Sequence, residues 1–169
     1  MQFQYYTENL VLSVLDESAA SMTLDFLTRN HEEFSKWDCR HPEEFLTLEY
    51  QRTLRAAEQR LFLRSNGVRF YIFLKSQPDF ILGCVSFAYL NDGNGYRCSI
   101  GYKTDKDFRK RGYAYEAVSF LIPVVMKEYG VKRIEADIMP DNLPSRALIE
   151  KHKSKRESQR LIHRSPDAA

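Results

Sequence analysis

Three basic residues stand directly before a predicted helix, in the segment DFRKRGYAYEAVSF. Arg109, Lys110 and Arg111 precede Gly112, and an apolar helical pattern follows. Positive charge at a helix N-terminus is unfavourable by about 0.3–1 kcal/mol per residue unless an anion is bound there. Backbone N–H groups of a first helical turn bind phosphates, arginine adds paired contacts, and glycine lets a ligand lie against the main chain. The segment therefore predicts a site for a phosphate-bearing ligand, and a solvated basic loop is the alternative.

The segment carries neither of the two familiar glycine-rich phosphate motifs. GxxxxGK[ST] and GxGxxG are both absent from the chain. A P-loop and a dinucleotide-binding fingerprint are therefore excluded as explanations for this basic segment.

Composition limits the class of protein. The 169 residues, with 43% hydrophobic and 28% charged residues, are typical of one soluble domain, predicted over 1–169. No apolar run has the length of a membrane span and no leader pattern precedes the first elements, so we expect a cytoplasmic protein without membrane association. Cys39, Cys84 and Cys98 form no CxxC pair, and the four histidines are scattered, so we expect free thiols and no metal.

The C-terminal segment, about residues 152–169, is a predicted basic tail. Between Lys151 and Arg164 there are six Lys or Arg residues and one acid, Glu157. A solvated helix face or tail is the favoured interpretation. Contact with an RNA-rich partner through phosphates is the weaker alternative.

The elements predicted from periodicity alternate in the order β, α, α, β, β, β, α, β, α. Alternating apolar residues predict strands at 9–15, 68–75, 80–90, 96–103 and 131–138. Helical spacing and capping residues predict helices at 16–30, from 42 to about 61, at 112–130 and at 144–153. The NDGNG segment predicts a hairpin turn, and Gly83 and Gly101 predict bulges or close backbone approaches. Trp37 is interpreted as a packing residue, with the wall of a substrate pocket as the alternative.

Two motifs resemble those of the GNAT acetyltransferases. The residues RKRGYA at 109–114 fit the Arg/Gln-x-x-Gly-x-Gly/Ala signature of that superfamily. The segment MPDNLPSRALIEK resembles its Asn-x-x-Ser-x-x-Leu-x-Glu-Lys segment. The N-terminal half, with EEFLTLEYQRTL and FYIFLKSQPDFILGCVSF, resembles the Rim-type branch, which acetylates the N-termini of ribosomal proteins. The resemblance spans Leu10 to about Lys151 and implies an α+β fold: a mixed, mostly antiparallel sheet between helices, as a three-layer α/β/α sandwich.

The resemblance implies acetyl-CoA as co-substrate and a set of residues that bind it. The pyrophosphate would meet backbone N–H groups of the basic loop, the preceding strand would pair with the pantetheine arm, and Asn142 would reach that arm. The residues implied are Ser99, Ile100, Gly101, Tyr102, Arg109, Lys110, Arg111, Gly112, Tyr113, Ala114, Asn142 and Ser145.

Acetyl transfer to an amine also needs groups that move protons. Glu135 and Asp137 lie two apart on the strand that the resemblance places beside the thioester, so both face one side of the sheet. Either carboxylate can act as the base, and surface acids on a sheet edge are the alternative. Ser145 matches the motif serine near the sulfur and is the candidate proton donor to the thiolate, with a helix-start role as the alternative. Tyr102 and Tyr113 are weaker candidates.

The C-terminal sequence departs from the family pattern. Relatives continue past Glu-Lys into x-Gly-Phe and two further strands, whereas this chain continues as HKSKRESQRLIHRSPDAA. We therefore expect the C-terminal strands to be missing or altered, and the strand carrying Glu135 and Asp137 to be left as an edge. Such edges tend to pair, so a homodimer contact or strand exchange is one way to cover it. A damaged acceptor site is another consequence.

The function predicted on this basis is transfer of an acetyl group from acetyl-CoA to a primary amine. The N-terminal α-amine of a protein, with a ribosomal protein first, is the preferred acceptor. A neutral α-amine is available more easily than a neutral lysine, since their pKa values are about 8 and about 10.4. The alternatives are a small amine, such as an antibiotic or polyamine, and a non-catalytic protein that retains CoA binding.

Overall fold

The protein folds around one mixed β-sheet, and the computed structural model describes residues 1–91, 96–155 and 161–164. Seven strands are described, and they lie in the sheet in chain order. The strands are β1 (Gln4–Tyr6), β2 (Leu10–Ser13), β3 (Gly67–Leu74), β4 (Gly83–Asn91), β5 (Tyr96–Thr104), β6 (Arg133–Asp137) and β7 (Leu161–Arg164). The helices are α1 (Ala20–Arg29), α2 (His31–Phe34), α3 (Leu48–Leu63), α4 (Tyr113–Tyr129) and α5 (Leu143–Lys155).

The type of strand pairing changes once along the sheet. Pairing is antiparallel from β1 to β5, and β6 then runs parallel to β5, with β7 parallel to β6. The predicted hairpin is confirmed by the pairing of Asn91 with Tyr96, while its turn, residues 92–95, lies outside the described residues. The expected α+β fold with a mixed, mostly antiparallel sheet is therefore confirmed.

Alternation along the strands sends apolar side chains to both faces of the sheet, which is why helices cover both. Phe70 and Ile72 of β3 join the larger core with Val118 and Leu121 of α4. On the other face, the neighbouring β3 residue Tyr71 packs with residues of α1 and α2. This arrangement gives the predicted three layers.

Two predicted helices begin with a separate 3-10 turn. Asp16 accepts a hydrogen bond from the Ser18 amide and caps the turn Glu17–Ala19 before α1. Thr47 caps α3 by accepting from the Tyr50 amide, after the turn Glu43–Leu46. The sequence therefore predicts both helical regions correctly, but the first turn of each is a separate 3-10 turn.

Gly83 marks a close approach of two strands and not a bulge. The register between β4 and β5 is continuous over all nine described pairs. A Cβ atom at Gly83 would lie 2.6 Å from the backbone oxygen of Lys103, so a side chain would force the strands apart.

The expectation that β6 would be a bare edge is wrong. β7 pairs in parallel with Ile134–Asp137 and covers that edge. Its only apolar residues, Leu161 and Ile162, lie in a charged segment too short to show strand periodicity, so the sequence pattern missed it. The C-terminal region is altered and not missing, while residues 156–160 and 165–169 of the predicted basic tail lie outside the described residues.

Within the described residues, no helix has both the length and the apolar character needed to cross a membrane.

Candidate active site

The two central parallel strands separate and open a cleft. β5 and β6 pair only at Arg97–Ser99 with Arg133–Glu135, although both strands continue beyond that point in the described chain. Ile100, Gly101 and Tyr102 line one wall of the resulting cleft, and Ala136 and Asp137 line the other. The cleft measures about 750 Å³. Beyond Ser99, β5 therefore presents N–H and C=O groups along the cleft, which an extended ligand can pair with.

The basic loop and the start of α4 form one end of the cleft. Gly112 has φ +86°, the left-handed conformation that glycine adopts without cost, and the helix begins at the next residue. No side chain caps Gly112 in the described structure, so first-turn N–H groups remain available at Tyr113 and Ala114, which both line the cleft. This arrangement fits the phosphate site that the sequence predicts.

The three basic residues of the loop have different surroundings. The Arg109 Nη1 atom lies 2.7 Å from a carboxylate oxygen of Glu33, and Arg109 and Lys110 both line the cleft. Hydrogen bonds from Lys36 and Arg109 lower the pKa of Glu33 to about 2. The Arg111 guanidinium packs over the ring of Phe108, 5.1 Å from its centroid. Glu33 therefore offsets part of the charge of Arg109, and Lys110 and Arg111 leave the loop with net positive charge beside the helix start.

A buried carboxylate ties the loop to α1. Asp105 is fully buried and accepts hydrogen bonds from Arg29 Nε, Asn30 Nδ2 and the Asp107 amide, at 2.7, 2.7 and 3.0 Å. Burial by itself raises the pKa of Asp105, but these hydrogen bonds and the Arg29 charge outweigh it, so the pKa is lowered. Sequence patterns did not predict this anchor, because the only local signal is an aspartate that caps the short helical turn Lys106–Phe108.

A second carboxylate ties the start of α4 to the first strands. The Glu116 carboxylate accepts hydrogen bonds from the Thr7 hydroxyl, from the backbone N–H of Asn9 and from the side-chain Nδ2 of Asn9. Burial raises the pKa of Glu116, and the hydrogen bonds from Thr7 and Asn9 outweigh that effect and lower it. The helix start is therefore held from both sides.

The last helix brings Asn142 and Ser145 to the cleft. Asn142 Oδ1 accepts a hydrogen bond from the Ser145 backbone amide at 3.3 Å and so caps the start of α5. The Tyr102 hydroxyl donates to the Ser145 carbonyl at 2.9 Å, and burial raises the pKa of Tyr102 to about 12. Tyr102 thus fixes the first turn of α5 against β5, and both Asn142 and Ser145 line the cleft.

The two candidate bases have different environments. Glu135 is 6% exposed, and one of its carboxylate oxygens lies 2.6 Å from Arg133 Nε and 3.6 Å from Arg97 Nη1. Asp137 is exposed and lines the cleft. The structure therefore brings Asp137 to the cleft and holds Glu135 in ion pairs.

The far wall of the cleft carries residues that the sequence analysis did not select as site residues. Trp37, Asp38, Arg69 and Lys103 line it, and Trp37 is 41% exposed, so the pocket-wall alternative for Trp37 agrees with the structure. Lys103 forms an ion pair with Asp38. These residues come from segments far apart in the chain, and no local motif links them.

Comparison with known proteins identifies the family. Residues 9–155 match the model of the acetyltransferase (GNAT) domain. The probable N-acetyltransferase YjcK of Bacillus subtilis (strain 168) is 29% identical over 137 residues, which are 81% of this chain and 75% of YjcK.

Two solved structures share the fold. The ribosomal-protein-S5-alanine acetyltransferase of Vibrio fischeri superposes with a TM-score of 0.83 at 20% identity, covering 89% of this chain and 82% of that one. RimL, a ribosomal L7/L12 alpha-N-protein acetyltransferase in complex with coenzyme A, superposes with a TM-score of 0.77 at 20% identity, covering 86% and 80%. This chain belongs to the GNAT acetyltransferase family and is an acetyl-CoA-dependent N-acetyltransferase.

Proposed function

We propose that this enzyme acetylates the N-terminal α-amine of a protein, with a ribosomal protein as the first candidate. The observation that carries the proposal is the cleft, which runs from the uncapped start of α4 to Asp137. The Asp137 carboxylate lines the cleft and has no ion pair among the described residues, whereas Glu135 is held in ion pairs. Two proteins of the same fold are a ribosomal-protein-S5-alanine acetyltransferase and a ribosomal L7/L12 alpha-N-protein acetyltransferase, which supports this choice of acceptor.

The residues of the cleft fit acetyl-CoA. A Cβ atom at Gly112 would meet nothing within 4 Å, so the space beside the loop is open to a phosphate. Arg109 and Lys110 supply positive charge, and first-turn amides supply donors. The wall from Ile100 to Tyr102, beyond the last β5–β6 pair at Ser99, gives an extended arm a strand edge to pair with. Acetyl-CoA, when bound, supplies the activated acetyl group.

The proton steps are assigned to two side chains. Asp137 takes the proton from the attacking amine, directly or through water, because it is the candidate base that lines the cleft. About a tenth of α-amines at pKa 8 are neutral at pH 7, so one solvent-accessible carboxylate suffices. The Ser145 hydroxyl donates a proton to the leaving sulfur and regains one from solvent in the open cleft, and Tyr102 holds the turn that carries Ser145.

A panel of acceptors tests this function. Peptides with free Ala or Ser N-termini are compared with the same peptides blocked at the N-terminus and with small amines, including polyamines. We expect release of CoA and addition of one acetyl group with the free peptides alone. Turnover of small amines without turnover of any peptide would overturn the proposal.

A further inference from the structure

A small side chamber opens next to the cleft on the face of the sheet that α1 and α3 cover. Three residues line both spaces and form the neck between them: Arg69, Cys84 and Lys103. The chamber measures about 240 Å³, below the roughly 300–1,000 Å³ of most small-molecule pockets. Its size therefore suits one side chain of a larger acceptor whose amine lies in the cleft.

The charges around the chamber do not balance. One oxygen of Glu58 lies 3.0 Å from Arg55 Nη2 and 2.8 Å from Arg69 Nη1, so a single carboxylate serves two guanidinium groups. Lys103 is paired with Asp38. Three cations therefore face two carboxylates, which leaves one positive charge uncompensated.

The other titratable groups at the chamber do not remove this excess. His41 lies on the chamber wall, with its Nε2 atom 3.3 Å from Asp38, and can only add positive charge. Burial raises the pKa of the Cys84 thiol, which keeps it neutral. Tyr50 and Tyr71, also on the wall, are neutral in their ordinary protonated form.

Two donors at this cluster lack an acceptor. Arg55 is 1% exposed, and its Nη1 atom contacts the Tyr71 hydroxyl. The Nε atoms of Arg55 and Arg69 are buried and have no hydrogen-bond partner within the described residues. Buried guanidinium groups are normally fully paired. Two of them that share one carboxylate, with Arg69 on the wall of an open space, therefore indicate that an anion belongs there.

We propose that the side chamber binds a carboxylate of the acceptor, held by Arg69 and Lys103 at the neck. This inference rests on the proposed function, and it makes the preferred substrates protein N-termini with Asp or Glu at the second or third residue. The same cations disfavour polyamines, because a polycation would meet them on entry. They also lower the pKa of an amine bound nearby, which increases its neutral, nucleophilic fraction.

The test compares acidic peptides with their amides. Peptides that differ only in Asp against Asn, or Glu against Gln, at the second and third residues are assayed for kcat/KM. We expect a preference of about tenfold or more for the acid, since a hydrogen bond to a charged group contributes that much to affinity. Equal kcat/KM for acid and amide would overturn the chamber proposal and leave N-terminal acetylation standing.

Substitutions at the neck locate the effect. Arg69→Gln and Lys103→Gln should each reduce the preference for the acid, while the exposed Arg52→Gln on α3 is the matched control and should retain it. Unchanged acetyl-CoA affinity shows that a variant is folded. A folded neck variant that keeps the full preference for acidic peptides over their amides would overturn the proposal. If neither variant folds, the comparison of acidic and amide peptides with wild-type protein decides by itself. Wild-type protein that binds acetyl-CoA but acetylates no peptide would overturn the proposed function itself and this inference with it.

Discussion

The donor end of the cleft and the acceptor side are built in different ways. The donor end depends on backbone groups: a left-handed glycine, a helix start and the edge of β5. The acceptor side depends on side chains brought together from α3, β3, β5 and the turn after α2, including Trp37, Arg69 and Lys103. Backbone sites need a short contiguous motif, whereas side-chain sites need the whole tertiary structure. Substitutions should therefore affect acetyl-CoA binding and acceptor turnover separately.

The largest effect is expected at Asp137. Asp137→Asn removes the proposed base, so kcat should fall by about a hundredfold or more, the usual contribution of a positioned base. Acetyl-CoA affinity should stay the same, because the donor end is unchanged. Steady-state kinetics and calorimetry measure the two quantities.

Glu135→Gln is the matched control for that substitution. It leaves Arg97 and Arg133, each about one-third exposed, without their carboxylate, and should lower the free energy of unfolding by about 1–3 kcal/mol. Turnover per folded molecule should be retained. If Glu135→Gln lost kcat and Asp137→Asn kept it, the assignment of the base would be reversed.

Gly112→Ala should weaken acetyl-CoA binding by roughly tenfold. The cost comes from the backbone, since a left-handed residue other than glycine costs about 1–2 kcal/mol and the added Cβ would meet nothing within 4 Å. The loop would lower this cost by shifting away from the phosphate. Gly130→Ala, at the other end of α4, is the matched control: Gly130 has φ +63°, an added Cβ there would also meet nothing within 4 Å, and the effect should fall on stability and not on acetyl-CoA affinity. Full affinity in Gly112→Ala would show that the loop geometry does not matter for binding.

A smaller, pH-dependent effect is expected from Asp105. Its pKa is lower in the folded protein than the ordinary value of 3.8, so it stabilises the folded state fully above that pH. This stabilisation declines as the pH falls below about 3.8 and is lost below the folded pKa. The difference in unfolding free energy between wild type and Asp105→Asn should therefore shrink in that range, as measured by urea denaturation. A constant difference across that range would contradict the lowered pKa.

The features that the sequence predicts correctly are those that depend on short contiguous motifs, as at the donor end of the cleft. The basic loop, Gly112, the start of α5 and the strands of the hairpin all depend on neighbouring residues, and local patterns identified them. The choice between Glu135 and Asp137 could not be made, because both lie on one strand face and only the ion pairs with Arg97 and Arg133 separate them.

The remaining features required long-range contacts. β1 has three residues and β7 has four, too few for a periodic signal. The Asp105 anchor joins residues about 75 positions apart, and the neck joins β3, β4 and β5. Hydrophobic periodicity carries no information on such pairs.

The central claim is that the start of α4 and the separated strands bind acetyl-CoA independently of the acceptor side. Calorimetric titration with acetyl-CoA tests it most directly, using wild type, Arg111→Glu and Arg69→Gln. We expect one binding site per chain, weakened by Arg111→Glu through charge reversal beside the phosphates and unchanged in Arg69→Gln. Absence of binding in folded wild-type protein, or equal affinity in Arg111→Glu, would contradict the account.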